Sequence, residues 1–275
     1  MYYVLDKDII ESEIIPHLPT AKRGFTTKSS LSEIVNAILY KLKSGVQWRL
    51  LPVSSLFSDV VLHYNSVFSH FRKWSKQGLW EDIWRKILSK YKEQLDLSSI
   101  DLDGSHTPAL RGGEKVAYQG RKSKKTTNSL YLTDRQGIVL AMSEPVAGNH
   151  NDLYEIENAM NTILQQVENA QIRVDGLFIN ADGGFDSIKL KSICEAKEIH
   201  LNVAQNKRNT KLEKEHLMDQ ELYKERYMIE RTNAWLDSFR SILNRFDTTT
   251  TSWKGFNFLG FIVIGLKKIL KIKKV

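Results

Sequence analysis

The hydrophobic period of this chain changes near residue 98, and that change limits what it can fold into more than any other feature. Before it, apolar residues recur at three and four. One set is Leu31, Ile34, Val35, Ile38, Leu39 and Leu42; the next is Val60, Val61, Tyr64, Val67, Phe68, Phe71 and Trp74; the third is Ile83, Trp84, Ile87, Leu88 and Tyr91. Such spacing puts each set on one face of a helix. Ser30 and Glu33 stand at capping-box spacing where the first helix would start, and Gly45 stands where it would stop. Residues 45 to 52 read as a structured turn. Residues 1 to 95 are expected to form a small helical domain whose apolar faces can pack without a sheet.

Beyond residue 98 the pattern is that of strands alternating with helices. Ile100-Asp101-Leu102-Asp103-Gly104 puts two aliphatics on one face and two carboxylates on the other. Ser129 to Thr133 and Ile138 to Ser143 flank Asp134-Arg135-Gln136-Gly137, a loop of hairpin length. A helix is expected from Asn151-Asp152 through Val167, a strand at Leu177 to Ile179, a helix over 186–198, a short strand at Ile199 to Val203, and a long helix over 219–245. Two antiparallel pairings followed by a right-handed crossover make the strand before Asp182 parallel to the one carrying Asp103. Both carboxylates then lie at one edge of the sheet, where an open α/β sheet binds its ligands.

Carboxylates gathered at a strand edge repel one another unless cations sit between them, and hard oxygen donors suit Mg²⁺ or Mn²⁺. Two such ions can stabilise the attacking and leaving oxygens of a phosphodiester displacement. On the expected long helix, Tyr223-x-x-Arg226-x-x-x-Glu230 spans two turns and aligns three side chains. Taken singly, Asp182 before Gly183-Gly184 also reads as a turn residue, and Arg226 with Glu230 reads first as an exposed pair. Periodicity alone does not choose between Asp101 and Asp103. Among the seven His there is no metal-ligand spacing; His106 and His150, near the edge, read as hydrogen-bonding partners.

Forty Lys and Arg against 32 Asp and Glu leave a net charge of +8, which favours a polyanionic partner. Arg111, Lys115, Arg121, Lys122, Lys124 and Lys125 crowd the loop between the first two strands, where phosphates could be held beside the carboxylates. Lys267, Lys268, Lys271, Lys273 and Lys274 suggest a terminal helix with a basic outer face. The single Cys194 excludes an intramolecular disulfide and a thiolate zinc site. The longest apolar run, Phe256 to Leu266, is shorter than the roughly 20 residues that cross a bilayer. The opening residues, MYYVLDKDII, carry no basic-then-apolar signal. The expected location is the cytoplasm.

At this point the sequence resembles a known family, the DDE transposases of bacterial insertion sequences, in the insertion-sequence-five group. The N-terminal resemblance lies in Leu31-Ser-Glu-Ile-Val-Asn-Ala-Ile-Leu-Tyr40, Ser44-Gly45-Val-Gln-Trp48-Arg49-Leu-Leu-Pro52, Phe71-Arg-Lys-Trp74 and Gly78-Leu-Trp80-Glu81. Further on it lies in Asp101-Leu-Asp103-Gly-Ser-His106, Gly148-Asn-His150-Asn-Asp152, Ala181-Asp182-Gly-Gly-Phe-Asp186-Ser and Tyr223-x-x-Arg226-x-x-x-Glu230-Arg231. The order and spacing of these segments, more than any one of them, carry the resemblance.

The resemblance implies a ribonuclease H-like mixed sheet with flanking helices over 96–275, preceded by an all-helical domain over 1–95 that binds DNA ends. It makes Asp103, Asp182 and Glu230 the catalytic and metal-holding carboxylates, with two Mg²⁺ or Mn²⁺ ions as cofactor. The implied DNA contacts are Arg121, Lys122, Lys124, Lys125, Tyr223, Arg226 and Arg231. Where the family carries a Lys seven residues after the Glu, this chain has Asp237, so that basic contact would fall to Arg231 or Arg240. The expected activity is hydrolysis at the terminal inverted repeats and joining of the 3′-hydroxyls to target DNA, by a homo-oligomer on the ends in the bacterial nucleoid. The rival expectations are a nuclease of the same fold without strand transfer and a catalytically silent DNA-binding relative.

Overall fold

The computed structural model describes residues 2–19, 27–205 and 218–273. The N-terminal part consists of helices α1 (Lys7–Glu13), α2 (Leu31–Ser44), α3 (Val53–Leu56), α4 (Tyr64–Lys76) and α5 (Leu79–Lys90). Helix α2 buries Ile34, Val35, Ile38, Leu39 and Leu42 and ends at Gly45, left-handed at φ 69°, whose N–H returns to the Lys41 carbonyl. The expected capping box does not form. Ser30 Oγ turns to Ser32 Oγ at 2.7 Å, and Glu33 instead accepts from the N–H and hydroxyl of Ser58. Val60 and Val61 precede α4 and are exposed, because that helix begins only at Tyr64, behind His63.

The second part is a seven-stranded sheet of β1 (Ile100–Pro108), β2 (Ala117–Gln119), β3 (Lys124–Asp134), β4 (Val139–Met142), β5 (Val146–Ala147), β6 (Phe178–Ala181) and β7 (His200–Val203). Strand β3 is antiparallel to β1 and also pairs with β2, β5 and β4; β6 is parallel to β1, and β7 to β6. The path β4-β3-β1-β6-β7, with only β3 running against its neighbours β1 and β4, is the ribonuclease H-like topology. Strand β3 outruns its apolar signal because Thr126, Thr127, Asn128 and Ser129 are buried polar residues, which hydrophobic alternation does not register.

Helix α6 (Ile156–Asn169) follows the hairpins and α7 (Ile188–Ala196) lies between β6 and β7. The first begins later than expected, since residues 152–155 form turns with Glu155 at φ 50°. In place of one long helix over 219–245 there are three: α8 (Gln220–Lys224), α9 (Tyr227–Asp237) and α10 (Arg240–Leu243). Between the last two, Phe239 takes an extended backbone and buries its ring.

Helix α11 (Thr250–Ile272) joins the two parts. Its Phe256 ring stacks on Phe71 of α4 at 4.3 Å, and Gly265 meets the Trp84 ring of α5 so closely that a Cβ there would overlap it. Lys41 of α2, buried, donates to Ser241 of α10 at 3.0 Å. The apolar faces of the N-terminal helices are thus completed by the end of the chain. The expected basic outer face of α11 holds for the exposed Lys267, Lys271 and Lys273. Lys268 turns inward, 3.7 Å from the Trp235 ring, and burial lowers its pKa to about 8; Lys274 lies outside the described residues. Among the described residues no helix is long and apolar enough to cross a membrane.

Candidate active site

Strands β1 and β6 pair in parallel at Ile100 with Ile179, Asp101 with Asn180 and Leu102 with Ala181. The next residue on each is an aspartate, so Asp103 and Asp182 stand side by side where the strands separate. Burial raises the Asp103 carboxyl to about 6; the Gly104 N–H and Arg226 oppose the rise, while the charges of Asp182 and Asp152 reinforce it. Asp182 Oδ1 accepts from the Gly184 N–H at 2.8 Å, so this residue is a turn former as well as an edge carboxylate.

Asp101 has a different setting. It is buried and accepts from Asn180 Nδ2 at 3.2 Å. Asn180 Oδ1 accepts from Asn202 Nδ2 at 2.9 Å, and Asn202 bonds the backbone N–H and C=O of Asp219 at 3.0 Å each. Asp219 in turn caps α8 through the N–H groups of Glu221 and Leu222. This polar ladder crosses three strands and ties the helices that follow to the sheet. Burial raises Asp101 to about 6 as well, with Asn180 and Arg226 opposing.

The break between α8 and α9 leaves the expected helical alignment locally intact. Arg226, at the start of α9, lies 5.8 Å from the Tyr223 ring and donates to Glu230 Oε1 at 3.1 Å. Its charge acts on Asp101 and Asp103. Glu230 is 63% exposed in its side chain and is drawn toward Arg226. Among the described residues no three His, Cys, Asp or Glu converge closely enough to hold an ion. The donors nevertheless suit a hard divalent cation: adjacent carboxylates at a half-buried edge, disfavoured in their charged form until a cation neutralises them.

Asn233 is a site residue that the sequence motifs miss. It lies one turn beyond Glu230, with Nδ2 3.5 Å from Asp103 Oδ2 and with its own Oδ1 buried and unbonded. Helical spacing from Glu230 is the signal that could have found it.

The basic loop is a hairpin, with β2 paired to Lys124, Lys125 and Thr126 and the turn at Gly120 to Lys122. Arg121, Lys122, Lys124 and Lys125 are exposed. Lys122 and Arg121 act electrostatically on His106, and Lys122 on Asp237, so the turn lies near the carboxylate edge and the end of α9. Arg231 is exposed and stands 5.5 Å from the Trp235 ring. His106 pairs with Thr126 Oγ1 at 3.2 Å, and His150 stacks on Tyr154 at 3.5 Å between centroids. Asp152 accepts from Asn128 Nδ2 at 2.7 Å and packs on Gly104, where a Cβ would overlap it.

Residues 102–263 match the family described as "DDE superfamily endonuclease", and residues 12–84 match "Putative transposase of IS4/5 family". No curated protein matches the chain. Three solved structures resemble it at 13% identity: the Mos1 strand transfer complex (TM-score 0.30, covering 90% of this chain and 79% of that one), a pre-cleavage Mos1 transpososome (0.28, 92% and 82%), and Mos1 transposase paired with the left transposon end (0.30, 90% and 80%).

Proposed function

Because the chain belongs to the DDE superfamily of endonucleases and is a transposase of the IS4/5 type, we propose that it cuts phosphodiester bonds at the terminal inverted repeats of an insertion sequence and joins the 3′-hydroxyls to target DNA. The observation that carries this reading is the register of β1 and β6, which sets Asp103 beside Asp182 at the open edge of the sheet.

Asp103, Asp182 and Glu230 would hold two Mg²⁺ or Mn²⁺ ions, which supply activation of the attacking oxygen and stabilisation of the leaving one. Asn233 orients Asp103. Arg226 holds Glu230 when the site is metal-free and is free to pair with a DNA phosphate once Glu230 turns inward. Arg121, Lys122, Lys124 and Lys125 grip the backbone of the strand being cut, with Tyr223 and Arg231 beside them on the helix side. Lys122, close to Asp237, returns a positive charge to the turn of helix where the sequence resemblance leads one to look for a lysine. Residues 1–95 recognise the ends and 96–275 perform the chemistry. Two ends must be cut and joined together, which calls for at least two copies of the chain on the DNA.

The test is incubation of the purified chain with Mg²⁺, a labelled duplex ending in the inverted repeat that flanks its gene, and a supercoiled target plasmid. Joined product supports transposition. Cleavage without joining supports a nuclease, and binding without cleavage a silent relative.

A further inference from the structure

One face of α4 is unlike the surface of any other N-terminal helix. Asn65, Ser69, Arg72, Lys73 and Lys76 are exposed and fall in one stripe at helical spacing, while Val67, Phe71 and Trp74 anchor the opposite face. The helix contains no Asp or Glu. Neither Arg72 nor Lys73 is in an ion pair with a described carboxylate. By contrast, α1 exposes Asp8 and Glu11 beside Lys7, α5 exposes Asp82 beside Lys86, and α2 is almost wholly buried. Asn65, Ser66, Ser69, His70 and Lys73 line a shallow depression that nothing covers among the described residues.

We infer that this face of α4 enters the major groove of duplex DNA and reads base edges there. The inference rests on the proposed action at DNA ends and assigns the reading to one helix. Thirteen residues span about 20 Å, and the major groove, about 12 Å wide, admits one helix. The stripe carries the side chains suited to that groove: an amide that pairs bidentately with adenine, a guanidinium that pairs with guanine, and a hydroxyl between them. Lys73 and Lys76 supply phosphate contacts along the same line. An acid-free face imposes no repulsion on the phosphates flanking the groove, which sets it apart from the mixed faces of α1 and α5.

The experiment uses the full chain and a duplex library with a randomised core. The wild type is expected to enrich one sequence. Asn65→Ala and Arg72→Ala are each expected to cut discrimination between the enriched and a scrambled duplex at least about tenfold, with affinity for random duplex and the thermal midpoint little changed. Lys86→Ala, on α5, is the control and should keep the discrimination. Unchanged discrimination in both α4 variants overturns the inference; so does a wild type that enriches no sequence, and so does equal binding of an RNA duplex of the enriched sequence, whose narrow major groove excludes a helix. Discrimination that depends on α4 without cleavage in Mg²⁺ would leave this inference standing and contradict the proposed chemistry, so the two fail separately.

Discussion

Asp103 and Asp182 are each the first residue beyond the last paired position, Leu102 with Ala181, of two parallel strands. Asp103 lies within β1 and Asp182 directly follows the end of β6, so the parallel pairing just before them brings the two residues close together. Burial, reinforced by the neighbouring Asp182 charge, makes the charged form of Asp103 costly without a cation and raises its pKa.

That cost has a pH signature. An acid whose pKa is higher folded than unfolded binds more protons in the folded state, so the metal-free chain should lose stability as pH rises from about 4 through about 6. Asp103→Asn removes that residue's share of the effect, while Asp101 and Asp134, also raised to about 6 by burial, keep theirs. In EDTA the variant should be more stable than the parent at about pH 8 by roughly 1–3 kcal/mol, with the gap closing toward about pH 4. Urea unfolding across that range measures it, and a constant gap would show that Asp103 is not the group responsible.

The ladder Asp101–Asn180–Asn202–Asp219 makes a second expectation. Asn202→Ala leaves Asn180 Oδ1 and the Asp219 backbone without their partner, at a cost of about 1–3 kcal/mol. Cleavage should fall further than stability alone explains, because the start of α8 and with it Glu230 loses its tie to the sheet. Denaturant midpoints and single-turnover cleavage at a temperature where the variant is fully folded separate the two effects.

The sequence made the carboxylate edge legible because alternation around Asp101 and Asp103 and a crossover helix determine strand direction. The ladder was hidden, since Asn180 and Asn202 look like any strand polar residue until the register Asp101–Asn180–Asn202 brings them together. Buried polar positions such as Thr127 and Asn128 likewise concealed the length of β3. The expected capping box failed because Glu33 found Ser58, a partner distant in sequence. Local spacing also cannot show that α11 completes the N-terminal core.

That shared core yields a third expectation. A side chain at Gly265 would strike Trp84, so Gly265→Leu should destabilise the chain by about 1–3 kcal/mol. The N- and C-terminal parts should still melt in one transition. Residues 1–95 alone, without Phe256 against Phe71, should unfold without a cooperative transition, and circular dichroism on heating would reveal it. A sharp transition in that fragment would mean its helices pack adequately without α11.

The basic hairpin should act on backbone phosphates. Replacing Arg121, Lys122, Lys124 and Lys125 by Gln should weaken binding to end and random duplexes alike. The slope of log K against log salt should flatten by about 0.9 for each phosphate that the variant no longer neutralises. Weakening confined to the end sequence would indicate base reading by the hairpin.

The most direct test is cleavage of the end duplex in Mg²⁺ by Asp103→Asn, Asp182→Asn, Glu230→Gln and Asp101→Asn, with binding measured in parallel. The first three should each lower the cleavage rate by on the order of 100-fold or more, since each removes a charge that holds the ions, while leaving binding within about threefold. Asp101→Asn, whose partner is Asn180, should be much milder. Wild-type cleavage by any of the first three would contradict the assignment of that carboxylate, and wild-type cleavage by all three would contradict the account as a whole.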